Sequence, residues 1–173
     1  MFNVYSASAG SGKTYRLTME YLKLALGEGR QVKETDTFSG TYFRNILAIT
    51  FTNAAANDMK ERILREVSGI AQKDPKSDRF LAELTAELTG KKPAHPGFDA
   101  LTGVVQVRCE RLFKSILHRY SDFSVTTIDS FTQRLVMAFT DELGLPYSFE
   151  VEMDTERVLE VAVDNLIERV GTD

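Results

Sequence analysis

A chain of 173 residues with 43% apolar and 27% charged side chains can bury one core, or a core with a small appendage, and is too short for two large domains. Its apolar runs fall far short of the ~20 residues that span a bilayer. Its opening, MFNVYSASAG, has neither the basic start nor the apolar stretch of a secretory signal, and its single cysteine, Cys109, excludes an intrachain disulfide framework and any CxxC metal site. A soluble, cytoplasmic protein with no membrane partner is expected. The net charge of −4 argues against a broad basic footprint for nucleic acid, although a groove can be locally basic while remote faces are acidic.

Phe2 to Ser6 is a short β-prone run leading into a loop of small residues, after which Leu17, Tyr21 and Leu24 recur at helical spacing. Gly27 and Gly29 end that helix, and Arg30 to Arg44 is polar and turn-rich, as a surface connection would be. Asn45 to Phe51 (NILAITF) is continuously apolar with β-branched residues, which predicts a strand covered on both faces in a parallel sheet. A second helix is predicted from just after Thr52, with Ala55, Met59, Ile63, Val67 and Ile70 on one stripe.

From Gln72 to Pro96 the composition turns polar, and Pro75, Pro93 and Pro96 surround a short helical piece, RFLAELTAEL, which reads as an insertion leaving the sheet domain. Val104 to Tyr120 predicts a long amphipathic helix with Val105, Cys109, Leu112, Phe113, Ile116, Leu117 and Tyr120 on its apolar face. Arg108, Arg111, Lys114, His118 and Arg119 lie near one another on it and read as a solvated face rather than a nucleic-acid track. Ser124 to Ile128 predicts a third buried strand, followed by a helix from about Ser130 to Leu143. Beyond Gly144 and Pro146, an extended segment (YSFEVEM) leads to Asp154 as N-cap of a last helix, TERVLEVAVDNLIERV. Its apolar Val158, Val161, Leu166 and Val170 have little chain left to cover them, as expected of a piece of a longer polypeptide.

Ala7 to Thr14 reads ASAGSGKT, a phosphate-binding loop pattern with alanine where a first glycine is commoner. Gly10 and Gly12 permit a tight loop whose amides point at phosphate oxygens at the positive end of a helix, and Ala9, Ser11 and Tyr15 belong to the same candidate nucleotide-binding stretch. Lys13 would reach the β- and γ-phosphates of ATP, and the Thr14 hydroxyl would ligate Mg²⁺. Two further motifs follow predicted strands. In TFTNAAANDMKERI, Thr50, Thr52 and Asn53 offer polar groups at the carboxyl edge of the sheet, where open α/β sheets bind ligands, and Phe51 offers a face for a base. In TTIDSFTQRL, Asp129 or Ser130 would cap the next helix. Taken singly, the first reads more readily as an ordinary strand-to-helix turn with Thr52 or Asn53 as N-cap, and the second is a modest signal.

The order ASAGSGKT, ILAITFTNAAANDMKERI and VTTIDSFTQRL resembles motifs I, Ia and the following TxH-type motif of UvrD/Rep-type superfamily 1 DNA helicases. The short lead before the loop, the ASAG spelling and FEVEMDTER look most like RecB-like subunits of the exodeoxyribonuclease V β-subunit type. The resemblance implies an α/β P-loop NTPase fold: a RecA-like parallel sheet flanked by helices, with a helical insertion (partial motor domain 1A plus the start of 1B). On that reading 1–71 is the first part of the core, 72–121 the helical insertion, 122–147 the continued core, and 148–173 the start of a helical accessory region. It implies Lys13 and Thr14 as catalytic phosphate and Mg²⁺ residues, Gly10, Ser11 and Gly12 as the amide cradle, and Phe51, Thr52, Asn53, Thr127, Asp129, Ser130 and Phe131 as DNA contacts. Single-stranded or unwinding duplex DNA, and other subunits of a helicase/nuclease complex, are the implied partners.

This sequence departs from the family pattern in three places. The six residues before Ala7 leave no room for the upstream glutamine that reads adenine, Tyr15 stands where arginine is frequent, and Asp129 takes the place of the usual histidine. A carboxylate repels phosphate, so the Asp129 contact is lost or redirected to a base edge or a cap. Two rival readings are a compact P-loop small-molecule kinase, with Asp129 on the metal, and a non-catalytic nucleotide-binding assembly module. Hydrolysis needs an acidic pair ending a further strand, and no DExx sequence with a preceding apolar strand occurs here. The chain alone is therefore expected not to turn over ATP at a useful rate, and brisk DNA-stimulated phosphate release in a steady-state assay would contradict this.

Overall fold

The computed structural model describes residues 12–33, 37–146 and 155–170. The predicted strand at Phe2–Ser6, the loop residues Ala9, Gly10 and Ser11, the segment YSFEVEM and the Asp154 cap lie outside the described residues. Two compact units, 1–128 and 129–173, are taken separately below.

In the first unit, α1 (Lys13–Gly27) precedes β1 (Ala48–Thr50) and α2 (Asn53–Ala71), then come α3 (Asp78–Thr89), α4 (Phe98–His118) and β2 (Val125–Thr127). Of the two residues the sequence offers as cap, Thr52 and Asn53, it is Thr52, in extended conformation, that caps α2. The stripe buried on α2 is Ala56, Met59, Ile63, Val67 and Ile70; Ala55, expected on it, is exposed. The Ala55 amide instead donates to the Thr52 cap, which places this residue in the first turn at the open end of the helix. Gly69 sits inside α2, where glycine weakens a helix; a Cβ there would meet the Ser77 hydroxyl oxygen, a contact that rotation of the serine side chain would relieve.

The strands pair in parallel, Ala48 with Val125, Ile49 with Thr126 and Thr50 with Thr127. Each is shorter than its apolar run predicts. Covering on both faces was expected for Asn45–Phe51, yet Leu47 and Ile49 are 44% and 45% exposed. Among the described residues the sheet has two strands, and α2 packs against both of them.

The segment expected as an insertion closes the core. Phe80, Leu81, Leu84 and Leu88 of α3 and Val105, Cys109, Leu112 and Ile116 of α4 join Met19, Leu22 and Leu26 of α1 and the α2 stripe in one apolar cluster. α4 begins at Phe98, earlier than predicted, and Leu117 and Tyr120, expected on its apolar face, are more than 45% exposed. Burial pushes the Cys109 thiol up to about 12, in keeping with a small core hydrophobe.

Arg108 corrects a second expectation. It is buried, not solvated: its Nη1 donates to the Leu26 carbonyl at 2.8 Å, and its guanidinium carbon lies 5.1 Å from the Phe38 ring centre. The last carbonyls of a helix lack intrahelical donors and carry partial negative charge. α1 has no basic residue in its last turn, and Arg108 supplies that cation from α4.

In the second unit, α5 (Ile128–Ala138) starts two residues before its predicted position and stops short of Leu143, and α6 (Thr155–Val170) matches its predicted span. Val158, Val161, Leu166 and Val170 are all exposed on α6. Replacing Arg108 with methionine leaves the Leu26 carbonyl without this donor and should cost about 1–3 kcal/mol of stability. Arg111→Met, on the exposed side of the same helix, should change stability by less than about 0.5 kcal/mol; equal shifts of the two urea midpoints would contradict the role given to Arg108.

Candidate functional site

The start of α1 is set by Gly12. Its φ of +79° and ψ of 22° are left-handed, and its carbonyl accepts the Arg16 amide at 3.0 Å. A Cβ on Gly12 would meet nothing within 4 Å, so conformation rather than crowding selects glycine here. The amides of Lys13, Thr14 and Tyr15 have no preceding carbonyl of the helix to bind, and the first turn holds no acidic residue. This end of α1 is therefore an electropositive set of donors suited to an anion. Lys13 is exposed beside it, and Thr14 is half-buried with its carbonyl taken by the Thr18 hydroxyl at 2.8 Å.

The next side chain turns to the helices. The Tyr15 hydroxyl donates to Glu83 Oε2 at 2.5 Å, its ring meets Phe80 edge-on at 5.4 Å between centroids, and the Arg62 guanidinium lies 5.7 Å from the ring centre. Burial, aided by the Glu83 hydrogen bond, pushes the phenol up to about 12, so it is a neutral donor at physiological pH. The side chain of Tyr15, a residue expected among the nucleotide-binding ones, is thus engaged by α3 and α2. Further along, Arg16 and Lys23 pair with Glu87 at 3.4 and 2.8 Å and with Glu20 at 2.8 and 3.1 Å. The Lys23 hydrogen bond holds the Glu87 carboxyl below its ordinary range.

A second group of candidates meets at the carboxyl ends of the strands. Register places Thr50 beside Thr127, and Thr50 Oγ1 donates to the carbonyl of Thr52 at 3.1 Å and, more distantly at 3.5 Å, to that of Thr126. Phe51 is 87% exposed, and Asn53, Ala54 and Ala55 are exposed after it, leaving an aromatic face and a helix start free of bulky side chains. The Thr52 hydroxyl accepts from the Ala55 amide at 3.2 Å, so it serves as N-cap whatever else it touches. Thr127 is buried. Asp129 is exposed and Ser130 and Phe131 partly so, in the first turn of α5 in the second unit.

Among the described residues no three or more His, Cys, Asp or Glu side chains gather as a metal site. A divalent ion here would have the Thr14 hydroxyl and the oxygens of a bound phosphate as ligands, which suits Mg²⁺ carried in by a nucleotide. Sequence reasoning missed Glu83, Arg62 and the burial of Arg108. The spacing of Phe80, Glu83 and Glu87 on one face of α3 was the available signal for the first. Thr52→Ala is expected to destabilise the unit holding α2 by about 0.5–2 kcal/mol through loss of the cap; a chemical-denaturation midpoint unchanged from the parent chain would remove Thr52 from that role.

Comparisons with known proteins bear on the whole chain. The family model described as the UvrD/REP helicase N-terminal domain matches residues 3–172. A Lactobacillus johnsonii protein, named as an ATP-dependent helicase/nuclease subunit, is 42% identical over 79 residues, 46% of this chain and 6% of the relative. Proteins named in the same way from Clostridium novyi and Thermoanaerobacter pseudethanolicus are 39% and 35% identical over 80 residues, again 46% of this chain and 6% of each relative. No solved structure matches the chain. With nearly every residue inside the matched model, this chain belongs to the UvrD/REP helicase N-terminal domain family.

Proposed function

We propose that the chain is the N-terminal ATP- and DNA-binding part of an ATP-dependent DNA helicase of the helicase/nuclease type, acting in DNA unwinding and repair. The observation that carries this is a left-handed glycine opening α1 directly before Lys13 and Thr14, in a chain of this family. On this reading the amides of Ala9, Gly10, Ser11, Gly12 and Tyr15 cradle the phosphates, Lys13 neutralises the β- and γ-phosphates, and Thr14 ligates Mg²⁺. Bound MgATP supplies the phosphoanhydride whose cleavage drives movement in the whole protein.

Single-stranded DNA lies against Phe51, Thr52 and Asn53, with Asp129, Ser130 and Phe131 as the next contacts; Thr127, expected among them, is buried where it pairs with Thr50 in the sheet and is not one of them. The exposed Phe51 ring offers a stacking surface at the edge where the second and third motifs begin. The RecB-like subtype, a RecA-like P-loop core over 1–71 and 122–147, a 1B element beginning within 72–121, association with other helicase/nuclease subunits and a cytoplasmic place belong to the same proposal. No described helix is long and apolar enough to cross a membrane.

Titration with a non-hydrolysable ATP analogue and with a fluorescent oligothymidylate tests both halves. Lys13→Ala should weaken the analogue by about tenfold or more, as loss of a charge-assisted hydrogen bond does, while leaving DNA binding in place. Phe51→Ala should weaken DNA by about fivefold to a hundredfold, the range for one stacked base. A parent chain that binds neither ligand would contradict the proposal.

A further inference from the structure

The first turn of α1 has no side-chain cap, because its N-cap is glycine. Left to itself, such a turn frays, and its amides lose their common direction. Two ties hold it to α3. Arg16 reaches Glu87 across 3.4 Å between partly exposed side chains, and an exposed ion pair of that kind adds little. The Tyr15 tie differs in kind: a short, part-buried hydrogen bond to a carboxylate, with the ring bracketed by Phe80 of α3 and Arg62 of α2. Three helices thereby fix the side chain immediately following Lys13 and Thr14.

We propose that Tyr15 and Glu83 are a positioning pair: the Tyr15–Glu83 hydrogen bond holds the first turn of α1 in the orientation that presents its amides, Lys13 and Thr14 to a triphosphate. Neither side chain touches the nucleotide. The proposal rests on the nucleotide reading above and adds to it a dependence of triphosphate affinity on α3, an element remote in sequence from the phosphate loop. The raised pKa of Tyr15 agrees with this, since the phenol keeps its proton and remains the donor.

The test uses the 173-residue chain with Tyr15→Phe, Glu83→Ala and Glu83→Gln, titrated with the imido analogue of ATP plus Mg²⁺, and hydrogen–deuterium exchange followed across the chain. Tyr15→Phe and Glu83→Ala should each weaken the analogue by about threefold to tenfold, the value of one hydrogen bond. Exchange should quicken over residues 16–19, whose amides are the first bonded within the helix, and stay unchanged over α2 and α4. Glu83→Gln, whose amide oxygen still accepts from the phenol, should bind within about twofold of the parent. Unaltered affinity and exchange in Tyr15→Phe would overturn the pair, as would an equal loss in Glu83→Gln. Quickened exchange throughout α2 and α4 would mark a general loss of stability and overturn a local role. If the parent chain fails to bind the analogue, the nucleotide reading fails; the exchange rates of residues 16–19 then decide the pair, faster rates in Tyr15→Phe supporting it and equal rates overturning it.

Discussion

The buried face of α2 is the constraint on which the first unit depends. Two paired strands of three residues are marginal by themselves. Ala56, Met59, Ile63, Val67 and Ile70 supply the missing support, with the strands and the helices α1, α3 and α4 all packed against α2. A fully buried valine, isoleucine or methionine stabilises by roughly 1.5–3 kcal/mol, so this one stripe outweighs any single hydrogen bond in the unit. Because α2 starts at Asn53, directly beyond the carboxyl end of β1, the same burial fixes where Phe51, Thr52 and Asn53 stand.

The other candidate group is held by electrostatics. Gly12 leaves the start of α1 electropositive, and no carboxylate in its first turn offsets this. Besides Glu20 of α1 itself, acidic groups from α3 meet side chains on its flank: Glu83 at Tyr15, and Glu87 at Arg16 and Lys23. Negative charge thus joins helices and is withheld from the place where a phosphate would bind. At the opposite end, Arg108 does the complementary work on the Leu26 carbonyl. One helix has a first turn without acidic side chains at its positive end and a buried cation on its negative end.

Periodicity made most of this architecture legible. The stripe on α2, the Thr52 cap and the span of α6 follow directly from the order of apolar and polar residues, because each depends on neighbours within a few turns. The extents of the strands did not follow. NILAITF is apolar enough to be covered twice, but how much of it forms strand depends on which partners reach it, and pairing with Val125–Thr127 involves three residues. Arg108 was unreadable for a similar reason. A cation amid Arg111, Lys114, His118 and Arg119 looks solvated until the end of α1 is known to lie beside it. The candidate site divides along the same line: the motifs located Lys13, Thr14 and Phe51–Asn53, while Glu83 came into view only through the packing of α3 on α1.

The parallel pairing of Ala48 with Val125 has a kinetic consequence. Everything from α2 to α4 lies between the two strands, so the sheet cannot close until a long intervening loop has been drawn in, and its entropic cost is met only after the helices have condensed. This topology favours helix pairing ahead of strand pairing. During synthesis, the edge that carries Thr50 and Thr127 side by side cannot form until Thr127 has been added to the chain.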